Sequence, residues 1–238
     1  DGGSGAVAVT VDTGLPALSS RLDRVNSRIR EACARSGRSP ESVRLIAVGK
    51  RHPPELIRAA YELGQRDFGE NYLQELSAKA RELADLPDIC WRFIGHLQRN
   101  KARDAARICH SVDTLDSLRT AEALEARAQQ AGRTLEVLIE VNLASEQQKA
   151  GCPPDEVATL AKSVGQLQAL RLSGLMAIPP LELQPRQNRL RFRALRQLAS
   201  ELGLPELSMG MSADLEVAIE EGATMVRVVT DIFGARDE

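Results

Sequence analysis

Short apolar runs alternate with amphipathic helical segments along most of the sequence. The first run is Leu45-Ile46-Ala47-Val48, which ends at Gly49 and Lys50 and is followed by two prolines. An apolar run of this length indicates a buried strand, and prolines fit the first turn of a helix. The same pattern recurs down the chain and predicts eight strands. They are 43–48, 66–69, 91–94, 108–112, 135–142, 170–176, a short strand around Leu207, and 224–228.

The segments around these strands carry apolar residues at three- or four-residue spacing, which is typical of helices that pack one face on a core. The predicted helices are 18–34, 53–63, 71–83, 97–106, 115–131, 154–164, 187–202 and 212–220. Alternating strands and helices indicate parallel βαβ units. Eight units predict an α/β fold, a single (β/α)8 TIM-type barrel with an extra N-terminal helix. A doubly wound open sheet is the alternative, but its usual count of about five to seven strands fits less well.

A chain of 238 residues suits one large domain, because barrels of this size fold as single units. Residues 1–14 include Gly-Gly-Ser-Gly, so we assign them to a flexible lead-in and residues 15–238 to the barrel. The start of the sequence lacks the basic and apolar regions of a secretory signal. Since no apolar run approaches membrane-spanning length, we expect no membrane association.

Charge and cysteine content exclude several classes of function. A net charge of −2 and an aromatic content of 3% argue against binding to nucleic acid or to acidic membranes. The four cysteines form no C-x-x-C pair and the three histidines have no metal-ligand spacing, which argues against a disulfide framework or a zinc site. Free thiols in a reducing cytoplasm are the simpler account. We interpret Arg21, Arg24, Arg28 and Arg30 as a solvated helix face.

The residue after the first strand is a candidate nucleophile. In a barrel, the residues that follow the strands converge on one mouth, where ligands bind. Lys50 stands at such a strand end. Desolvation there favours a neutral amine, which can attack a carbonyl. The alternative is a lysine whose stem packs on the core while its ammonium reaches water.

Polar residues near the last two strands predict an anion site. The loops after strands seven and eight are the recurrent phosphate site of barrels, and they contain Ser212 and Thr230. An ordinary N-cap role would also explain Ser212, as it would explain Asn71 after the second strand. Arg227 lies inside the last strand and faces either a ligand in the mouth or a carboxylate on an outer helix.

Several long motifs resemble those of the pyridoxal-phosphate homeostasis proteins and stand in the same order. They are Ala47-Val48-Gly49-Lys50, Phe68-Gly69-Glu70-Asn71-Tyr72, Phe93-Ile94-Gly95-His96-Leu97-Gln98-Arg99-Asn100-Lys101, Gly174-Leu175-Met176-Ala177-Ile178-Pro179, Ser208-Met209-Gly210-Met211-Ser212, Thr224-Met225-Val226-Arg227 and Ile232-Phe233-Gly234-Ala235-Arg236. The resemblance extends from the first helix to the end of the chain.

This resemblance implies a barrel similar to the N-terminal domain of alanine racemase that binds pyridoxal 5′-phosphate (PLP). Lys50 would hold PLP as a Schiff base, and Ser212 and Thr230 would hold its phosphate. Arg227 would face the pyridine nitrogen, where an arginine disfavours ring protonation and so weakens the electron sink. The implied cofactor-binding residues are Lys50, Asn71, Met211, Ser212, Arg227 and Thr230.

The resemblance further implies a carrier or regulator of intracellular PLP, without established catalytic turnover. PLP-dependent apo-enzymes are the candidate partners, and we expect a cytoplasmic monomer. The alternative is an enzyme similar to amino-acid racemases, which need a second β-rich domain and an acid/base residue, usually a tyrosine, opposite the lysine. The two tyrosines here, Tyr61 and Tyr72, both fall in predicted helices, which favours the carrier.

The chain departs from the family pattern at a few positions. Gly49 replaces a usual serine and His96 a usual proline, and both changes look tolerable. The last loop has Val229-Thr230-Asp231 where Gly-Thr-Ala is expected. Valine lacks the backbone freedom of glycine, and an aspartate repels a phosphate unless it points away. We therefore predict weakened phosphate binding.

Overall fold

The eight strands close into a parallel barrel in sequence order. The computed structural model describes residues 14–143, 150–180 and 185–234. The strands are β1 Arg44–Val48, β2 Asp67–Glu70, β3 Cys90–Phe93, β4 Ser111–Leu115, β5 Leu135–Glu140, β6 Leu170–Met176, β7 Glu206–Ser208 and β8 Met225–Val228. Each pairs with the next, and β8 closes onto β1, where Ala47 lies beside Val228. The predicted (β/α)8 barrel is confirmed.

A helix precedes β1 and another follows every strand. The helices are α1 Leu15–Arg35, α2 Pro54–Glu62, α3 Leu73–Glu82, α4 Ala102–Ile108, α5 Leu118–Gln130, α6 Val157–Val164, α7 Pro185–Glu201, α8 Leu215–Glu220 and α9 Thr230–Phe233. The short helix α9 was not predicted. The predicted lead-in falls almost wholly on residues 1–13, and Ala235 and Arg236 of the last motif follow residue 234; both lie outside the described residues.

The fourth strand lies three residues later than predicted. It spans Ser111–Leu115, whereas α4 continues to Ile108. The apolar pattern misled the prediction because Ser111 and Asp113 are buried polar residues, fully enclosed with Arg92 of β3. The predicted helix at 97–106 also begins later, at Ala102, after one 3-10 turn.

The barrel interior contains a small apolar cluster that is separate from the main core between strands and helices. Its buried members are Ile46, Val48, Ile94, Leu138, Met176 and Met225. These side chains come from alternate positions of several strands, since successive residues of a strand face opposite sides. Arg227 is two residues after Met225 on β8, and Lys50 is two residues after Val48, the last residue of β1. Both are therefore directed towards the barrel interior or its mouth.

The extra helix α1 packs beside the barrel, against α8 and α9. Its buried side chains include Leu22, Val25 and Ile29, which share one face at the expected spacing. Within the described ranges, no helix combines the length and the apolar character that crossing a membrane requires.

Candidate ligand site at the barrel mouth

Lys50 stands two residues beyond β1, at the C-terminal mouth of the barrel. Its side chain is half-buried, and its Nζ lies 5.6 Å from the centroid of the Tyr72 ring. Tyr72 precedes α3 and is 48% exposed, so the prediction that it lies in a helix is wrong. The Lys50 amine therefore faces the ring of Tyr72 at the barrel mouth.

Arg227 on β8 is buried and faces the interior. Its Nη1 donates to Ser208 Oγ at 2.7 Å and its Nη2 donates to the Ala177 carbonyl at 3.0 Å. Burial lowers the pKa of Arg227, while the charges of Asp113 and Glu140 oppose that shift. The outward orientation that alternation also permitted is wrong. The guanidinium is therefore held at the ends of β6 and β7.

Asn71 follows β2 and is held by the neighbouring loop after β3. It does not cap a helix, because α3 begins at Leu73 after Tyr72. A Cβ added to Gly95 would lie 1.9 Å from the Asn71 carbonyl oxygen, so only glycine permits this approach of the two loops. Thr114 Oγ1 donates to the Gly95 carbonyl at 2.5 Å and fixes the loop from β4.

The loop after β7 turns at a glycine. Gly210 has a φ of +96°, and a Cβ there would lie 2.5 Å from the Cβ of Ala218. The following residues, Met211 and Ser212, are half-buried. Helix α8 begins at Leu215, so the N-cap role considered for Ser212 is wrong, and its hydroxyl is not committed to that helix.

Arg28 of α1 connects the loop that contains Ser212 to helix α9, which begins at Thr230. Its Nη2 donates to the Ser212 carbonyl and its Nη1 to Asp231 Oδ2, both at 2.7 Å. Its Nε and Nη2 also donate to the Glu216 carboxylate at 2.6 and 2.9 Å. The sequence interpretation of Arg28 as part of a solvated face is wrong. Nothing in the local sequence could reveal a contact across about 200 residues.

These contacts remove the physical reasons for expecting weak phosphate binding. The Asp231 carboxylate is paired with Arg28, which offsets its charge. Val229 has a φ of −111°, outside the left-handed region that favours glycine. Weakened phosphate binding stays a prediction, and the PLP affinity of Val229→Gly relative to wild type tests it.

Glu140, at the end of β5, is a buried acid that the sequence interpretation missed. Burial raises the pKa of Glu140 to about 7, against the opposing charge of Arg227. The region was interpreted as an almost continuous apolar strand. Glu136 and Glu140 are four residues apart and share a face of β5, a spacing that could have indicated an interior acid in a strand otherwise covered by helices.

We expect Glu140→Gln to stabilise the apo-protein more at pH 8 than at pH 5. In the folded protein the Glu140 carboxyl keeps its proton up to about pH 7, whereas an ordinary glutamate loses its proton near pH 4.5. Because the folded state then binds more protons than the unfolded chain, wild-type stability decreases as pH rises through this window. Urea unfolding at both pH values measures the difference. The exposed control Glu122→Gln should change the free energy of unfolding by the same amount at both pH values. If Glu140→Gln does the same, the raised pKa of Glu140 is contradicted.

The six sequence-predicted residues lie on one side of the mouth. Strands β7, β8, β1 and β2 are consecutive neighbours in the closed barrel, and these residues stand on β8 or follow the ends of the four strands. They are Lys50, Asn71, Met211, Ser212, Arg227 and Thr230. Glu140 belongs to β5, which is not one of these four strands. The arrangement offers an amine, a fixed guanidinium and two hydroxyls within one arc, a set suited to a phosphorylated carbonyl compound.

Comparisons with known proteins agree with this architecture. Residues 20–237 match the family model of the alanine racemase N-terminal domain. The chain is 46% identical over 222 residues to the pyridoxal phosphate homeostasis protein of Pseudomonas aeruginosa, covering 92% of this chain and 96% of that one. It is also similar to PipY of Synechococcus elongatus, with 91% of this chain and 100% of that chain covered. The structure of PipY without PLP gives a TM-score of 0.83 at 41% identity, and the structure with PLP bound gives 0.81 at 39%.

Proposed function

This chain belongs to the pyridoxal phosphate homeostasis proteins, and on that premise we propose that it binds PLP at the barrel mouth as a carrier in intracellular vitamin B6 homeostasis. The observation that carries the proposal is the placement of two groups at one end of the barrel: Lys50 directly follows β1, and the buried Arg227 lies on β8, the strand that pairs with β1. The solved structure of PipY with PLP bound supports the choice of ligand.

Lys50 is the group that would attach PLP. A neutral amine adds to the aldehyde carbon, and loss of one water leaves a C=N bond between them. Tyr72 covers one side of the lysine, and Asn71 and Met211 would line the ligand. The half-buried position of Lys50 keeps the bond accessible to water or to a second amine, as release of a carried ligand requires.

Arg227 would favour storage over turnover. PLP acts in catalysis as an electron sink. Both terminal nitrogens of Arg227 already donate hydrogen bonds, to Ser208 and Ala177, so the guanidinium is held in place as a cation. A cation beside the pyridine nitrogen disfavours protonation of that nitrogen and so limits electron withdrawal.

The phosphate would lie between the loops after β7 and β8. Ser212 and Thr230 supply hydroxyl groups there. Arg28 supports these loops from the outside through the Ser212 carbonyl and Asp231. The available donors therefore fit a phosphate.

We expect Arg28→Gln to weaken PLP binding by roughly three- to tenfold, the scale of one or two charge-assisted contacts in a partly exposed site. Without Arg28, the Asp231 carboxylate has lost its cation and the Ser212 loop its anchor. The double variant Arg28→Gln/Asp231→Asn should recover part of the affinity in equilibrium titrations with PLP. Equal affinity of wild type and Arg28→Gln would show that α1 does not support the phosphate loops.

An enzyme similar to amino-acid racemases is not favoured. The similar proteins of nearly full length carry the name of homeostasis proteins, and Tyr72 packs on Lys50 itself. A chiral assay after incubation of the PLP-loaded protein with L-alanine tests the alternative. Sustained racemisation would overturn the carrier assignment.

We further propose that the protein is a cytoplasmic monomer that supplies PLP-dependent apo-enzymes. Four free thiols fit a reducing compartment. The exposed large apolar side chains of the described residues are scattered over separate elements, and the apolar face of α1 is covered by α8 and α9. Light scattering and transfer of PLP to an apo-enzyme test these two statements.

The test of the central proposal is an absorption spectrum of the purified protein with and without PLP. We expect a visible band, followed by borohydride reduction and an adduct that maps to Lys50. No band in excess PLP, or an adduct on another lysine, would refute the proposal.

A further inference from the structure

The turn that contains Lys50 is tied to α3 on both sides of the lysine. Before it, the Gly49 carbonyl accepts a hydrogen bond from Lys79 Nζ at 2.7 Å. After it, the Arg51 N–H donates to Glu75 Oε1 at 2.6 Å. Arg51 has a φ of 60°, the one positive φ of a non-glycine residue within the described ranges. Two side chains, four residues apart on one helix, thus hold a backbone that would otherwise avoid this conformation.

Lys79 is the centre of a buried charged cluster. Its Nζ lies 2.6 Å from Glu70 Oε1 and 2.7 Å from Glu75 Oε1. Lys79 is 2% exposed and Glu70 is fully buried. Burial raises the pKa of Glu70 to about 7, against the charge of Lys79. A buried ion pair of this kind contributes little net stability, because the cost of desolvation offsets the attraction. Stability alone therefore does not explain why the pair lies beside Lys50.

The cluster also lies close to the backbone that precedes Lys50. A Cβ added to Gly49 would lie 2.5 Å from Glu70 Oε1 and 2.7 Å from Ile57 Cδ1. Glu70 ends β2 and directly precedes Asn71. Lys79 therefore links the ends of β1 and β2, the two strands that present Lys50 and Asn71. With Gly49 in place of the usual serine, there is no Cβ to crowd the Glu70 carboxylate.

We propose that Lys79 is a positioning residue for Lys50: with Glu70 and Glu75 it fixes the backbone on both sides of Lys50, so that the amine meets the PLP aldehyde in a productive orientation. This inference rests on the proposed function. Lys79 does not touch the ligand in this account. It acts through the Gly49 carbonyl and, through Glu75, on the Arg51 amide.

A purely structural role and a positioning role predict different results. If the cluster only supports the barrel, its loss lowers the unfolding midpoint while the folded protein binds PLP normally. If it positions Lys50, the folded variant forms the C=N bond slowly and holds PLP in a less defined orientation. The rate at which the visible band appears reports the first property, and the visible circular dichroism per bound PLP reports the second.

The experiment compares wild type, Lys79→Met and the control Lys162→Met, a variant of an exposed lysine on α6. Far-ultraviolet circular dichroism first establishes the folded fraction. We expect Lys79→Met to form the visible band about ten- to a hundredfold more slowly, the range associated with a misplaced reacting group, and to lose most of the visible circular dichroism. Lys162→Met should match wild type.

The outcomes distinguish a failure of the Lys79 inference from a failure of the proposed function. A folded Lys79→Met with wild-type rate and dichroism overturns the inference, while the proposed function stands. Where Lys79→Met does not fold, Glu75→Ala, which removes the acceptor of the Arg51 N–H, is judged by the same two measurements. A wild type that forms no adduct on Lys50 refutes the proposed function itself, independently of Lys79.

Discussion

Lys50→Ala is expected to abolish borohydride-stable attachment of PLP and to remove the visible band. Lys50 is the lysine that follows β1 at the barrel mouth, next to the strand that carries Arg227, and alanine has no amine to form the C=N bond. PLP should still bind reversibly through its phosphate, with an affinity at least about tenfold lower, because one covalent bond is lost and the contacts proposed at Ser212 and Thr230 stay.

Mass spectrometry of the reduced protein and equilibrium dialysis with PLP measure these two effects separately. Lys162→Ala, on the outer surface of α6, serves as the matched control and should match wild type in both. An equal yield of adduct in Lys50→Ala, wherever it maps, would mean that the mouth lysine is not the attachment point. A complete loss of reversible binding would instead mean that the phosphate loops contribute nothing on their own.

The barrel itself could be predicted because most of its strands are apolar runs bounded by glycine or proline. The segments between them carry apolar residues at the three- or four-residue spacing of helices. The prediction failed where the interior is polar. In β4, Ser111 and Asp113 are enclosed with Arg92 and broke the apolar pattern, which displaced the strand by three residues. Glu140 was missed because most of its neighbours in β5 are apolar, so the segment was interpreted as an apolar strand and this buried acid was overlooked.

The candidate residues at the mouth could be located because a parallel barrel brings the ends of its strands together. The groups that support them could not. Arg28 reaches Ser212 from α1, 184 residues away, and Lys79 reaches Gly49 from the far side of a strand and a helix. Such contacts depend on how the folded helices and strands pack against each other. A charged residue on a helix therefore looks solvated until its tertiary neighbours are known.

Deep in the barrel, Arg92 and Asp113 form an ion pair whose disruption should have the largest effect on stability. Arg92 Nε and Nη2 donate to the Asp113 carboxylate at 2.9 and 3.0 Å, and both side chains are fully buried. Ser111 Oγ completes the group through bonds to both partners. We expect Arg92→Met to lower the free energy of unfolding by about 3–5 kcal/mol, because it leaves a buried carboxylate without its cation.

The double variant Arg92→Met/Asp113→Leu separates the loss of the pair from the cost of the orphaned charge. Replacing a buried pair by apolar residues is often nearly neutral, so the double variant should recover part of the lost stability in urea unfolding at neutral pH. Glu136, 3.6 Å from Arg92 Nη1, still loses this cation in the double variant. Arg58→Met, which breaks the exposed pair with Asp85, should change little and controls for the substitution itself. If the double variant is as unstable as Arg92→Met, the interior polar group stabilises the barrel by more than charge pairing, and packing around Ser111 becomes the explanation.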